Sequence, residues 1–390
     1  MISIYVHWPF CLSKCPYCDF NSHVANSFDH SLWLDAYNKE LDFFEQQISG
    51  KYVKSIFFGG GTPSLMSPAT IAGIIEKISK LAAIIDNKTE ITLEANPTSF
   101  ELEKFKSFAL AGINRLSLGI QALREQDLIK LGREHDVKTA LKAAWHASTI
   151  FPRFSFDLIY TRSGQTLKAW QNELEEAMQL AAGHLSLYQL TIEKGTPFYN
   201  LSRDGKLVLP DQDVAADMYE WTGDFMNANG YNRYEISNYA RTSHECLHNL
   251  TYWQYHSYIG IGPGAHSRLI SDNKARAIMM WHKPEKWLNT VFEKGNAIQL
   301  DKNLTDIEIL EEFLMMGLRL RSGISQESLT KIAHYKISDI LSQHTVQTYI
   351  NMGLLHASEN NLQLTDKGLA LHSYLVPRLL ELLQKSCIRE

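Results

Sequence analysis

The sequence predicts an α/β protein: a partial (β/α)6, TIM-like barrel followed by a small C-terminal domain, α-rich and winged-helix-like. Three observations predict it. Strand-like apolar runs recur six times before residue 195, helical patterns fill the gaps, and the alternation then breaks down. Alternating strands and helices imply right-handed crossovers and a parallel sheet whose strand ends collect a site. Six units make an open barrel and fall short of a closed eight-fold one.

The strand runs are ISIYV (2–6), VKSIFF (53–58), EITLEA (90–95), RLSLGI (115–120), FSFDLIY (154–160) and HLSLYQL (184–190). The first helix is expected at 30–48, with Leu32, Leu34, Tyr37, Leu41, Phe44 and Ile48 near helical spacing. Others are expected at 68–83, 100–111, 124–131 with 136–149, and 166–181. Residues 196–300 are less regular: one helix (211–229), an aromatic, His-rich stretch (244–258) and a Gly-rich turn, IGIGPGAH (259–266). An amphipathic helix restarts at 304–320, where Leu314, Met315 and Met316 read as core, and short helices follow from 325 to 376. Within that span, NNLQLTDKGLALHS (360–373) reads as a turn and strand feeding a last helix. The expected units are a core barrel over 1–235, a connecting region over 236–300 and a C-terminal domain over 301–390.

With 390 residues, 45% hydrophobic, the chain can bury a large core, and a net charge of −5 gives no general pull toward nucleic acid or anionic membrane. Residues 301–390 carry nine Lys or Arg and eleven Asp or Glu, a net of −2, so this unit lacks the basic footprint of a DNA reader. No apolar run of about 18 residues predicts a membrane span. The start, MISIYVHWPF, lacks the basic region and long apolar stretch of a signal peptide. The expected location is the cytoplasm, where clustered cysteines point to metal binding or catalysis.

Three of the five cysteines lie in HWPFCLSKCPYCDF: Cys11, Cys15 and Cys18, spaced C-x3-C-x2-C after the first strand. Cys246 and Cys387 are far away in sequence. Three thiolates leave one iron of a [4Fe–4S] cubane without a protein ligand, and an open metal position is where a substrate binds. Zinc would need a fourth ligand such as His7 or His23, and the three-residue gap is unusual for zinc knuckles. Three small buried residues are the remaining reading.

The stretch Y-V-H-W-P-F-C-L-S-K-C-P-Y-C resembles the radical S-adenosylmethionine (SAM) superfamily. Within it, the chain resembles the branch of oxygen-independent coproporphyrinogen III oxidase and the HemW-type heme chaperones. The resemblance implies a radical SAM barrel, a [4Fe–4S] cluster on Cys11, Cys15 and Cys18, and SAM chelated at the open iron. FFGGGTPSLM follows the second strand; alone it reads as a tight turn closed by Pro63, and glycine lets backbone approach a ligand. By resemblance, Gly60, Gly61 and Thr62 meet the SAM amino group. Glu94 in LEANP, Gln121 in SLGIQ, Arg133 in LGREH and Asp157 in FDLIY match further SAM positions, and Tyr5 and Tyr17 match positions packed near SAM. Each residue taken alone reads more readily as a solvated or capping group. One departure stands out: relatives read Gly-Leu-Pro after the fifth strand, and this chain reads Thr161-Arg162-Ser163-Gly164.

Two features separate the branches. The oxidases resemble C-x3-C-x2-C-x-C, whereas this chain has Phe20 at the last position. ECLHNLTYW matches H-N-x-x-Y-W, linked to heme in HemW-type proteins, through His248, Asn249, Tyr252 and Trp253. Imidazole can ligate iron and aromatic faces can flank a macrocycle, but a His beside Tyr and Trp alone reads as a packed core residue. His244, Cys246, His248 and His256 give no familiar zinc spacing. The resemblance thus implies heme as cargo, taken from a donor and passed to acceptor hemoproteins. A homodimer is left open and no catalytic residue is assigned. The alternative is oxidative decarboxylation of coproporphyrinogen III to protoporphyrinogen IX. The missing fourth cysteine and the four residues before Tyr5 count against it.

Overall fold

All six apolar runs form strands: β1 (Ile2–Trp8), β2 (Val53–Gly60), β3 (Glu90–Ala95), β4 (Arg115–Gln121), β5 (Arg153–Tyr160) and β6 (Gly183–Gln189). They pair in parallel in that order. The structure, a computed structural model, describes residues 1–81, 84–271, 274–341 and 344–387. The expected helix end at 82–83 and the last three residues of the chain lie outside the described residues.

Side chains alternate along each strand. Ile4, Ile56, Leu93, Leu116, Phe156 and Leu185 enter the main apolar core with Ile74, Phe105, Ala144 and Trp170 from the helices. The opposite face is polar: Ser3, Ser55, Glu90, Arg115, Ser155 and His184 are all buried. The helices are α1 (His30–Phe43), α2 (Pro68–Lys80), α3 (Ser99–Leu110), α4 (Glu125–Lys130), α5 (Val137–Ile150) and α6 (Leu167–Met178). Asp29, Ser67, Thr98, Asp136 and Thr166 cap five of them by accepting a backbone N–H of the first turn. The expected helix 30–48 is interrupted at Phe44, which leaves helical geometry (ψ 7°) before a short turn, Glu45–Ile48.

The sheet is wider than six strands. A seventh parallel strand, β7 (Tyr258–Ile261), pairs with β1 inside the stretch expected to be a Gly-rich turn. Glycine is required there by backbone contact: a Cβ on Gly260 would stand 2.2 Å from the His266 carbonyl oxygen. Three antiparallel strands (His266–Ser271, Lys274–Met280, Ile298–Asn303) continue this side, and Asn238–Ala240 and Asn232–Arg233 extend the other, giving twelve strands among the described residues.

A second apolar cluster, including Ile309, Phe313, Leu329, Leu355, Leu364 and Leu375, forms the C-terminal core. Three short antiparallel strands (Ile324–Ser325, Leu355–Ala357, Asn361–Leu364) join helices Gln326–Ala333 and His344–Asn351 in winged-helix order. Leu314 is buried as expected, but Met315 is 47% exposed. Arg268 holds Glu312 at 2.8 Å and Arg319 holds Glu235 at 3.0 Å, fastening this unit to the barrel.

Candidate functional site

The chain leaves β1 at Trp8 and enters a loop whose ends are zipped by Phe10–Cys11 against His23–Val24. His7 anchors the loop from below. Its Nε2 lies 2.9 Å from the Asn21 carbonyl, which can only accept, so Nε2 carries the proton and Nδ1 accepts from the Tyr5 hydroxyl at 3.0 Å. Burial pushes the His7 pKa down to about 4, keeping the ring neutral.

The turn after β2 lies directly on this loop. Gly61 N–H donates to Trp8 O at 2.7 Å and Thr62 N–H to Phe10 O at 2.8 Å. A Cβ on Gly61 would meet Phe10 O at 2.6 Å, and one on Gly60 (φ +116°) would meet the His7 ring at 2.6 Å. The glycines are therefore demanded first by backbone packing.

Cys11, Cys15 and Cys18 are half-exposed and line one cavity of about 1090 Å³ with Gly60, Gly61, Thr62, Glu94, Gln121, Arg133, Asp157 and Tyr17. Thr62 Oγ1 donates to the Cys11 sulfur at 3.4 Å, and Arg133 Nη1 donates to the Cys15 sulfur at 3.3 Å. Burial raises the Cys11 and Cys18 thiols, opposed at Cys11 by the Thr62 hydrogen bond and at Cys18 by backbone at Phe20. Among the described residues no three His, Cys, Asp or Glu are grouped to hold a metal ion. His7 already spends both nitrogens, and His23 Nε2 lies 3.2 Å from Asn21 Oδ1. A cubane takes each thiolate on a different iron, so it suits more widely spaced sulfurs than a single zinc does.

The same cavity is lined by two carboxylates, Glu94 and Asp157. Glu94 accepts from Gly60 N–H at 3.3 Å; burial, then the Asp157 charge, push its pKa up to about 8. Asp157 is raised to about 6 by burial, with Ser186, Arg115 and Arg133 pulling the other way. Arg133 Nη2 donates to Asn96 Oδ1 at 2.6 Å and to Gly119 O at 3.0 Å, while its buried Nε has no partner. Gln121 adopts a left-handed φ of 72° at the end of β4. Tyr17 packs on Phe198, 6.2 Å between ring centroids. The wall offers a cation for a carboxylate and two carboxylates for ammonium or hydroxyl groups, the polar inventory of an amino-acid nucleoside such as SAM.

Five expected residues fall elsewhere: Tyr5, His248, Asn249, Tyr252 and Trp253. Tyr5 sits beneath the cavity wall, bonded to His7. His248 is 1% exposed, lies outside the cavity lining and uses both ring nitrogens: Nδ1 to Ser55 Oγ and Nε2 to Tyr252 hydroxyl, each at 2.8 Å. Its ring stacks on Phe57 at 4.9 Å, and burial pushes its pKa down to about 3. Asn249 lies beside Tyr234, whose hydroxyl meets His184 Nε2 at 2.9 Å, and Trp253 lies under the Arg319 guanidinium at 4.4 Å. Asn96, which bridges Thr62 (3.2 Å) and Arg133, was missed, although it stands two residues after Glu94 in LEANP. The departure at 161–164 is explained by local chemistry. Thr161 takes a left-handed φ of 57°, its hydroxyl oxygen accepts from Leu190 N–H at 3.1 Å, and buried Arg162 pairs with Glu173 and, at 2.9 Å, with Asp127.

The sequence pattern of the radical SAM superfamily matches residues 5–177, and that of the HemN C-terminal domain matches residues 304–371. The solved structure of coproporphyrinogen III oxidase (HemN) from Escherichia coli superposes with a TM-score of 0.80 at 22% identity, covering 98% of this chain and 89% of that one. The fold is thus that of a radical SAM protein. The radical S-adenosyl methionine domain-containing protein 1, mitochondrial, of Bos taurus is 35% identical, covering 98% of this chain and 88% of its own. The heme chaperone HemW of Bacillus subtilis is 34% identical over 94% of this chain and 96% of its own. The chain belongs to the radical SAM superfamily and, within it, to the family of the HemW proteins. Membership implies a [4Fe–4S] cluster and SAM, and the three thiols, Arg133 and the paired carboxylates are a donor set that fits both.

Proposed function

We propose that this protein is a heme chaperone that takes up heme and passes it to hemoproteins, holding a [4Fe–4S] cluster on Cys11, Cys15 and Cys18. SAM is bound among Gly60, Gly61, Thr62, Glu94, Gln121, Arg133 and Asp157, with Tyr17 alongside. The observation that carries the reading is full-length likeness to proteins named heme chaperone HemW, at 34% identity. Its likeness to the oxidase structure, at 22% identity, concerns the fold alone. Phe20 supports it locally, since an exposed phenyl ring on the cavity lining stands where the oxidase pattern has a further thiol.

When bound, the cluster supplies an iron with an open position for the amino and carboxylate groups of SAM. The chain's own residues do the rest. Thr62 donates to the Cys11 sulfur and Arg133 to the Cys15 sulfur. Asn96 holds the Arg133 fork, which keeps a donor free for a carboxylate. Glu94 and Asp157 accept from ammonium or ribose hydroxyl groups. No helix among the described residues is long and apolar enough to cross a membrane, and a cytoplasmic setting keeps the thiols reduced.

The test pairs two assays on anaerobically reconstituted protein. Hemin should bind with a shifted absorption band and move to an apo-hemoprotein. Coproporphyrinogen III with SAM and a reductant should remain unconverted. Formation of protoporphyrinogen IX would replace the reading with the oxidase.

A further inference from the structure

We propose that His135 reads the purine end of SAM, its Nδ1 accepting a hydrogen bond from the exocyclic amino group of the adenine. This rests on the SAM-binding reading above and adds to it the side chain that decides base identity.

His135 follows Arg133 by two residues, lines the cavity of the three cysteines and is 7% exposed. Its Nε2 lies 3.0 Å from the Ile120 carbonyl on β4, which can only accept, so Nε2 carries the proton. Burial, then the Arg133 charge, push the His135 pKa down to about 4, opposed by the Ile120 bond and Asp136, so the ring is neutral at physiological pH. A neutral imidazole has one donor and one acceptor. Nδ1 is therefore the acceptor, and it has no partner among the described residues. An acceptor held this deep without a donor calls for an occupant, and the open space that borders the residue is the cavity.

The polar groups of SAM narrow the choice of occupant. Arg133 suits its carboxylate, and Glu94 and Asp157 suit its ammonium and ribose hydroxyl groups. The purine edge is left, and its amino group is a donor. A neutral ring nitrogen with a free lone pair matches that group and would gain nothing from a carboxylate.

The apolar surroundings fit a flat base as well. Tyr17, Ile159 and Leu190 line the cavity and pack in one apolar cluster. Ile159 lies on β5 and Leu190 directly follows β6, while His135 is tied to β4, where Gln121 pairs with Leu158 of β5. The imidazole and the apolar group therefore stand at neighbouring strand ends. Small-molecule sites join such apolar walls to a few placed polar groups, here an aromatic and two aliphatic side chains for the faces of the base and one acceptor for its edge.

Competition against labelled SAM on the anaerobically reconstituted full-length chain tests the assignment, with S-adenosylhomocysteine and S-inosylhomocysteine as the probes. The inosyl compound carries a carbonyl oxygen where the adenosyl compound carries the amino group, so two lone pairs would face each other at Nδ1. The unaltered protein should prefer the adenosyl probe by about tenfold, the scale set by one unmade buried hydrogen bond. His135→Gln keeps an N–H for the Ile120 carbonyl and removes the ring acceptor. It should bring the ratio of the two affinities close to one, a change that a purely structural role would not produce, since lost stability would weaken both probes alike. Equal binding of the probes by the unaltered protein, or an undiminished preference in His135→Gln, would overturn the role of His135 and leave the SAM site intact. Failure of the unaltered protein to bind SAM would overturn both.

Discussion

Arg133 and Cys15, 118 residues apart in sequence, are joined by a 3.3 Å hydrogen bond from the guanidinium to the sulfur. The other arm of the fork is held by Asn96 and the Gly119 carbonyl. One side chain thus ties the cysteine loop to the ends of β3 and β4, and its buried Nε remains unpartnered.

Arg133→Gln should therefore weaken SAM binding by about 10- to 150-fold, the loss of a charged hydrogen bond of about 1.5–3 kcal/mol. Iron content should stay near four per chain, because the cysteines remain. Equilibrium dialysis with labelled SAM checks this, and unchanged affinity would remove Arg133 from the site.

Gly61→Ala places a methyl group against the Phe10 carbonyl, which belongs to the backbone of the cysteine loop. Overpacking of this kind costs about 1–3 kcal/mol. The variant should unfold at lower denaturant and take up less iron on reconstitution. Gly164→Ala, with nothing within 4 Å of the new carbon but a φ of +76°, should cost about 1–2 kcal/mol of backbone strain and leave iron uptake unchanged. Equal iron uptake by the two variants would contradict the packing account.

Glu94 gives a pH prediction. Its folded-state pKa of about 8 lies above the unfolded value of 4.5, so between these the folded chain holds a proton that the unfolded chain releases. Stability of the SAM-free protein should fall as pH rises from about 4.5 to about 8. Glu94→Gln should flatten that fall, measured as denaturation midpoints at pH 5 and 8.5. An identical decline in the variant would show that Glu94 is not buried as a neutral acid.

His248→Ala should destabilise the fold by about 2–4 kcal/mol, since it leaves Ser55 and Tyr252 unpaired and empties the space against Phe57. Urea unfolding checks this. Full stability together with loss of the hemin spectrum would mark His248 as a heme ligand rather than a packing residue.

The barrel was legible because its strands carry continuous apolar runs and its helices keep apolar residues near helical spacing, as Leu34, Tyr37 and Leu41 do. The cysteine spacing was legible because the ligands are local in sequence. β7 was not, because its four residues include Gly260, whose smallness serves the His266 backbone and looks like a turn. The surroundings of His248 were not legible either, since polar residues fill this end of the barrel interior: Ser3, Ser55, Glu90 and Arg115 are buried there too. Its partners come from β2 and its own helix, and no spacing rule reveals such pairing. The tail's arrival beside the cysteines is tertiary and left no mark in the order of residues.

Heme transfer to an acceptor is the decisive measurement for a heme chaperone. Reconstituted protein loaded with hemin is mixed with an apo-hemoprotein, and the acceptor's own Soret band is followed. Stoichiometric transfer to the acceptor is expected, with no protoporphyrinogen IX formed from coproporphyrinogen III in a parallel reaction. Retention of hemin by this chain, or conversion of coproporphyrinogen III, would contradict it.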